Sequence, residues 1–302
     1  MTIPSLNELS SAAGGIFVPD ELPTELNMLL RDASCVERFA RHIKMKRLKM
    51  IRRKQSDGVD GYWVDAMAVK PKDAPAFDTF ELEAEKVAVI IPLEDQLLED
   101  ADTDIAQVVR TDVVGAFQEL LDRTYMGYEI STPFAQSLSG STPGAHAIAM
   151  GTSPDDLVGD LSLAVSAVEQ HGWDVTGMIA HPSVKHLLRN LRDLLNQPIF
   201  AENLKDSISR YAIWGKPICF SRQVQQTGSP LASEILMAYF DYVMIGDRME
   251  LAVSKSTEAT LTQGTDPNIN LFEQDMTAFR FVTRKAFVIK DVDVLAKVTD
   301  VA

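Results

Sequence analysis

The residues able to do chemistry in this chain are few, and their spacing matches no reaction-bearing motif. Five histidines, His42, His146, His171, His181 and His186, are the candidate bases and metal ligands. His181 and His186 stand five positions apart, so on one helix they face different sides and are poorly placed to share a metal. His171 falls at an expected helix C-terminus, where an imidazole can satisfy terminal carbonyls. All five are read as structural or solvated. Asp100, Asp102 and Asp104 resemble the start of a calcium loop, but Ile105 takes the place of the turn glycine and Thr111 that of the bidentate glutamate. Those aspartates are therefore read as helix caps. Cys35 and Cys219 form no CxxC pattern and offer no zinc site, so they are read as small apolar fillers in a reducing compartment. No phosphate loop, dinucleotide fingerprint, nucleophile elbow or HExxH sequence occurs. Carboxylates are plentiful and their pairing in space is not legible, so a glycosidase-like dyad stays open. The expectation is a protein that is not an enzyme, with no catalytic residue, no cofactor and no metal.

The elements that would position any site belong to an ordinary folding chain. With 302 residues, 46% hydrophobic and 24% charged, the chain can bury a full core and needs no disulfide framework or metal to fold. The first fifteen residues lack the pattern of a signal peptide, and no window approaches the ~18 apolar residues of a membrane span. Net charge is −14, yet Arg38, Arg41, Lys44, Lys46, Arg47, Lys49, Arg52, Arg53 and Lys54 form a basic run without an acid. Such a run suits nucleic acid. Here Ile43, Met45, Leu48, Met50 and Ile51 interleave with the cations, which favours a ribbon between subunits over a DNA-reading element.

Along the chain, Gly14-Gly15 and Pro19 mark an extended arm with a short helix after it. Residues 41 to 91 read as two long strands broken by Ser56-Asp57-Gly58, Pro71, Asp73 and Pro75, which suggests a hairpin. Asp102, Thr103 and Asp104 then cap a helix carrying Ile105, Val108, Val109, Val113, Ala116, Phe117, Leu120, Leu121 and Tyr125. That is about six turns, or ~30 Å. Residues 127 to 153 read as a long loop. Ser153 and Pro154 open a second helix with Leu157, Val158, Leu161, Val165 and Val168, ending at His171-Gly172. Met178-Ile179-Ala180 is a buried strand, and Pro182 opens a third helix. The rest is mainly strands: 218–220, 235–240, 249–253, 276–283, 287–289 and 292–298. Residues 254 to 270 form a second hairpin tip.

This order resembles the tailed-phage major capsid proteins of the Hong Kong 97 fold over nearly the whole chain. The resemblance rests on Gly14-Gly15-Ile16-Phe17-Val18-Pro19, on Val89 to Asp100 leading into the long helix, and on Asp155 to Val168 followed by Ile179-Ala180-His181-Pro182. It continues with Ile213-Trp214-Gly215-Lys216-Pro217-Ile218, with Gly246-Asp247-Arg248-Met249, and with Phe272 to Val288. It implies an α+β fold with an N-terminal arm (1–43) and an extended β-hairpin loop (44–88). A peripheral domain (89–150 and 246–287) would hold a spine helix at 104–126, and an axial domain would take 151–245 and 288–302. It further implies pentamers and hexamers of this chain closing into an icosahedral shell around double-stranded DNA, in a virion assembled in the host cytoplasm. A separate scaffolding protein and a portal are the expected partners, DNA is held non-specifically, and no membrane is involved.

Within that resemblance, Tyr62, Trp63, Val64, Met67, Phe77 and Phe80 would expose an apolar patch that a neighbouring subunit covers. Tyr62, Trp63, Met67, Lys70, Phe77, Arg47, Arg52 and Arg53 are the expected contact residues. The basic run could meet acidic residues of a neighbour. Lys70 matches the lysine that some relatives join covalently to an asparagine, assisted by a glutamate. Gln274 and Phe281 stand near those two partner positions, so non-covalent contacts are expected. Only thirteen residues precede Gly14, so with Met1 as the start scaffolding comes from a separate chain. The rival readings are an encapsulin, in which the same fold encloses a cargo enzyme, and more distantly a soluble enzyme with an unrecognised site.

Overall fold

The computed structural model describes residues 34–96, 105–129, 131–151, 154–190, 201–202, 211–224, 226–227, 232–262 and 269–300. The arm before residue 34, the caps at 102–104 and Ser153, and the tip at Gly264 and Pro267 lie outside these. The elements run α1 (Cys35–Phe39), β1 (Arg41–Lys44), β2 (Lys49–Asp57), β3 (Ala76–Glu83), β4 (Glu85–Glu94), α2 (Ile105–Met126), a 3-10 turn (Gly144–His146) and β5 (Ala147–Met150). Then come α3 (Pro154–Glu169), β6 (Gly177–Ala180), α4 (Val184–Asn190), β7 (Ala201–Glu202), β8 (Tyr211–Ile213), β9 (Lys216–Phe220), β10 (Gln226–Thr227), β11 (Ala232–Ser233) and β12 (Ile235–Ala238). A 3-10 turn (Phe240–Tyr242), β13 (Val243–Ser256), β14 (Thr260–Leu261), β15 (Ile269–Asn270), β16 (Met276–Ile289), a 3-10 turn (Val292–Val294) and β17 (Leu295–Asp300) complete the chain. The fold is mixed α+β.

The described residues form two compact units, one built from Lys86–Leu121 with Met249–Lys285, the other from Cys35–Glu85, Asp122–Arg248 and Ala286–Ala302. In the first, Val113, Val114, Phe117 and Leu121 make the buried stripe of the long helix, at the three- and four-residue spacing a helix requires. The apolar positions of that helix are more numerous than the covered face needs, and Val108, Ala116 and Leu120 stay exposed. Asp95 ties the end of β4 to β16, accepting from the Thr277 hydroxyl at 2.5 Å, while its own N–H donates to the Asp275 carbonyl at 3.0 Å.

The second unit is organised by a seven-stranded sheet in the order β5-β17-β12-β6-β9-β8-β7. β12 lies antiparallel to both β17 and β6, whereas β6 with β9 and β17 with β5 are parallel. Strands β6 and β12 are buried at every position, so they read as continuous apolar runs without alternation. Leu157, Leu161, Ala164 and Val168 put one side of α3 into this core beside Val175, Met178, Ile218, Ile235 and Met237. Gly172, with φ of +82°, gives α3 its left-handed stop. A second, smaller cluster joins Ile43, Met45, Leu82, Ala84, Met244, Ala286 and Val288, with Met50 and Phe80 packed against it. Gly246 is required there, because a Cβ at that position would lie 2.9 Å from the Ala286 Cβ and collide with the Met45 side chain.

Several expectations need correction. Cys35 and Cys219 are not separate fillers: they form a disulfide with Cα atoms 5.9 Å apart. Residues 41–44 are not part of the hairpin but a parallel partner of β13, Ile43 opposite Gly246. The region 127–153 holds β5 as well as loop. Residues 276–289 are one strand, not two, since Lys285, which breaks the apolar pattern, is itself 3% exposed within the strand.

Candidate interaction surface

Strands β2 and β3 form a two-stranded ribbon in antiparallel register, from Lys49 opposite Glu83 to Gln55 opposite Phe77, with an irregularity before Asp57. Because strand side chains alternate, Met50, Arg52 and Lys54 share one face with Leu82, Phe80 and Asp78. On that face Leu82 is fully buried, Met50 and Phe80 pack on the smaller cluster, and Lys54 is half-buried, whereas Arg52 and Asp78 are exposed. Phe80 thus leaves the expected exposed patch. The other face carries Ile51 and Phe77 in the open, at 60% and 65% exposure.

Every residue from 58 to 79 is exposed. Trp63 and Met67 are as accessible as in an extended chain, at 104% and 105%, and Val69 is at 93%. Tyr62, Val59 and Val64 extend the patch, and Lys70 stands beside it. Met67 also holds φ at +71°, a left-handed conformation that costs a side-chain-bearing residue about 1 kcal/mol. Large apolar side chains gathered on one exposed segment of a globular protein mark a surface that another molecule covers.

The basic run is divided by the register. Lys49 pairs with Glu81 at 2.6 Å, and that hydrogen bond and charge raise the lysine's pKa. Lys54 donates to the Lys290 carbonyl at 3.1 Å and lies 3.8 Å from Asp291. These two cations are therefore engaged within their own chain. Arg47, Arg52 and Arg53 have no carboxylate partner among the described residues, and Arg52 and Arg53 point to opposite faces of the ribbon. Gln274 is exposed and Phe281 is buried, so at the second position an apolar ring stands in place of a carboxylate.

Beneath the surface, a buried polar network fixes α1. Asp122, fully buried, accepts from the N–H groups of Cys35 at 3.2 Å and Val36 at 3.4 Å and from the Ser221 hydroxyl at 3.4 Å. It does from a distance in sequence what an N-cap side chain does locally. Tyr125, stacked on Phe287 at 4.9 Å, donates to Glu37 at 3.4 Å. Burial, then the charges of Glu37, Asp247 and Asp122, push its hydroxyl well above its usual 10.0. A raised folded-state value contributes stability that is complete below pH ~10 and is lost as pH rises above it, because only the unfolded chain then ionises. Tyr125→Phe should therefore flatten the fall in urea midpoint between about pH 9 and 11, measured against the parent protein. An equally steep fall in both would refute this assignment.

The histidines are distributed through the second unit. His42 has both ring nitrogens occupied, by Asp247 at 3.0 Å and the Glu37 carbonyl at 2.8 Å. His181 accepts the Ser183 N–H at 3.1 Å, and His186 lies 2.8 Å from the Ser183 carbonyl, both local to the start of α4. His146 and His171 come together with Asp293, a grouping sequence reasoning missed because the three are far apart in the chain.

The model of the phage capsid family matches residues 14–300. The chain belongs to the phage capsid family. A capsid polyprotein of Pseudomonas phage PAJU2 is 25% identical over 243 residues, 75% of this chain and 35% of that protein. The major capsid protein of Klebsiella oxytoca phage phiKO2 is 22% identical over 287 residues, 91% of this chain and 65% of that one. The chain thus spans about a third and just under two thirds of these two curated relatives. A solved structure from Microbacterium phage Oxtober96 superposes with a TM-score of 0.73 at 25% identity, over 88% of this chain and 90% of that one. Membership of this family favours the phage reading over the encapsulin one. It also accounts for the empty search for catalytic motifs, since the family's proteins are structural.

Proposed function

We propose that this chain is the major capsid protein of a tailed phage, whose copies assemble by non-covalent contacts into pentamers and hexamers of an icosahedral shell around double-stranded DNA. Beyond family membership, the observation that carries the reading is the ribbon tip. A subunit that works alone has no use for Trp63, Met67, Val69 and Phe77 in water, and a subunit covered by its neighbour does. Tyr62, Trp63, Met67 and Phe77 form the apolar part of that contact with Lys70 beside them, and Arg47, Arg52 and Arg53, which lack carboxylate partners among the described residues, meet acidic groups of the adjacent copy.

In this reading the ribbon is the extended loop (44–88), the long helix is the spine of a peripheral domain (89–150 and 246–287), and 151–245 with 288–302 form an axial domain. The net charge of −14 suits the inner wall of a container that must let packaged DNA move, since a uniformly basic wall would bind phosphate tightly. A separate scaffolding protein and a portal complete the assembly in the host cytoplasm. Negative-stain electron microscopy beside gel filtration of the protein expressed alone tests the reading. Closed shells or pentameric and hexameric rings are expected, and a persistent monomer would overturn it.

A further inference from the structure

His146, His171 and Asp293 converge from three separate segments, with one ligand-type atom of each lying within 4.8 Å of the others. Each backbone is fixed where it enters the cluster. His146 closes the 3-10 turn before β5, its N–H donating to the Pro143 carbonyl at 2.9 Å. His171 stands in the turn that ends α3, its N–H donating to the Val168 carbonyl at 3.1 Å. Asp293 lies in the turn before β17, and its N–H donates to the Asp291 carboxylate at 3.4 Å.

The decisive detail is the orientation of His146, which is 5% exposed and places Nδ1 2.8 Å from the Leu295 carbonyl. A carbonyl can only accept, so Nδ1 is the donor and Nε2 is the ring nitrogen left to ligate a metal. This outer hydrogen bond is the arrangement that orients metal-binding imidazoles. The His146 and His171 rings are 5.2 Å apart and tilted by 54°, so they do not stack flat on each other. His171 Nδ1 lies 3.8 Å from the Asp293 carboxylate, too long for a hydrogen bond that would satisfy the pair without a third party.

We infer that His146, His171 and Asp293 form a structural site for a divalent transition metal, zinc by preference, which clips the turn before β5 to the end of α3 and the turn before β17. Two imidazole nitrogens and one carboxylate oxygen suit zinc, with bonds of roughly 2.0–2.2 Å and water in the fourth position. Calcium and magnesium are disfavoured, since they need six or more oxygens. His171 is exposed and Asp293 half-buried, so closing the site asks their side chains, and not the buried His146, to adjust.

The test uses the full chain after chelation, with thermal unfolding followed in ZnCl2, MgCl2 or CaCl2. Zinc should raise the midpoint by several degrees, the other two salts should not, and the rise should vanish in His171→Ala, at an exposed position, and in the near-isosteric Asp293→Asn, with the metal-free midpoints of both variants close to the parent's. Cobalt should give the intense visible absorption of a four-coordinate ion with nitrogen ligands, lost in the same variants. No midpoint shift with zinc, or a shift and cobalt spectrum unchanged in the variants, would overturn the site. Neither outcome depends on whether the chain assembles.

Discussion

Replacing Trp63 and Met67 together by alanine should leave the subunit as stable as the parent and abolish its assembly. The two side chains are fully exposed, so no packing within the chain is lost, and surface changes of this kind usually fall within about ±0.5 kcal/mol. In the proposed shell the same side chains would be buried as anchors. A tryptophan at the centre of an interface is worth at least about 2 kcal/mol when truncated. Every subunit repeats the contact, so the loss multiplies around a closed ring. Gel filtration and electron microscopy would read the assembly, and a urea melt of the unassembled subunit would read the fold. Shells that form at the parental concentration would remove the ribbon tip from the interface. Arg52→Ala, by contrast, should weaken assembly only modestly and reduce its salt dependence.

Asp122→Ala should be the most damaging single change to the subunit itself. The carboxylate is fully buried and serves two backbone donors and one hydroxyl. Removing it leaves those donors without an acceptor, at about 1–3 kcal/mol for each buried group. The three bonds are long, which favours the lower part of that range, so a total loss of about 3–5 kcal/mol is expected. Asp122→Asn keeps an acceptor oxygen and should lose about half as much. Urea midpoints with the disulfide reduced would isolate the effect. A loss for alanine no greater than for asparagine would show that the acceptor role is not what Asp122 supplies.

What could be read from the sequence was local and periodic. Leu157, Leu161 and Val168 announce the buried stripe of α3, and the alternation around Met50 and Phe80, with the breaks at Gly58 and Pro75, announces the ribbon. The apolar tip was legible because Trp63, Met67 and Phe77 sit among residues too polar to enclose them. What escaped depends on pairing between distant segments. His42 meets Asp247 across 205 positions, β1 joins β13 in parallel, and Cys35 finds Cys219. Nothing within a window around either partner encodes such a meeting. The same holds for His146, His171 and Asp293: the two histidines read singly as structural or solvated, and nothing near Asp293 in the sequence singles it out.

The Cys35–Cys219 bond also gives the chain the topology of a lariat, with a covalent loop spanning 184 positions and the remaining residues as two tails. The exposed stretch from 58 to 79, open to a protease along its length, lies wholly inside that loop. A single cut there opens the loop without releasing either piece. A nicked subunit keeps its mass on a non-reducing gel and separates into two fragments only when the thiols are reduced.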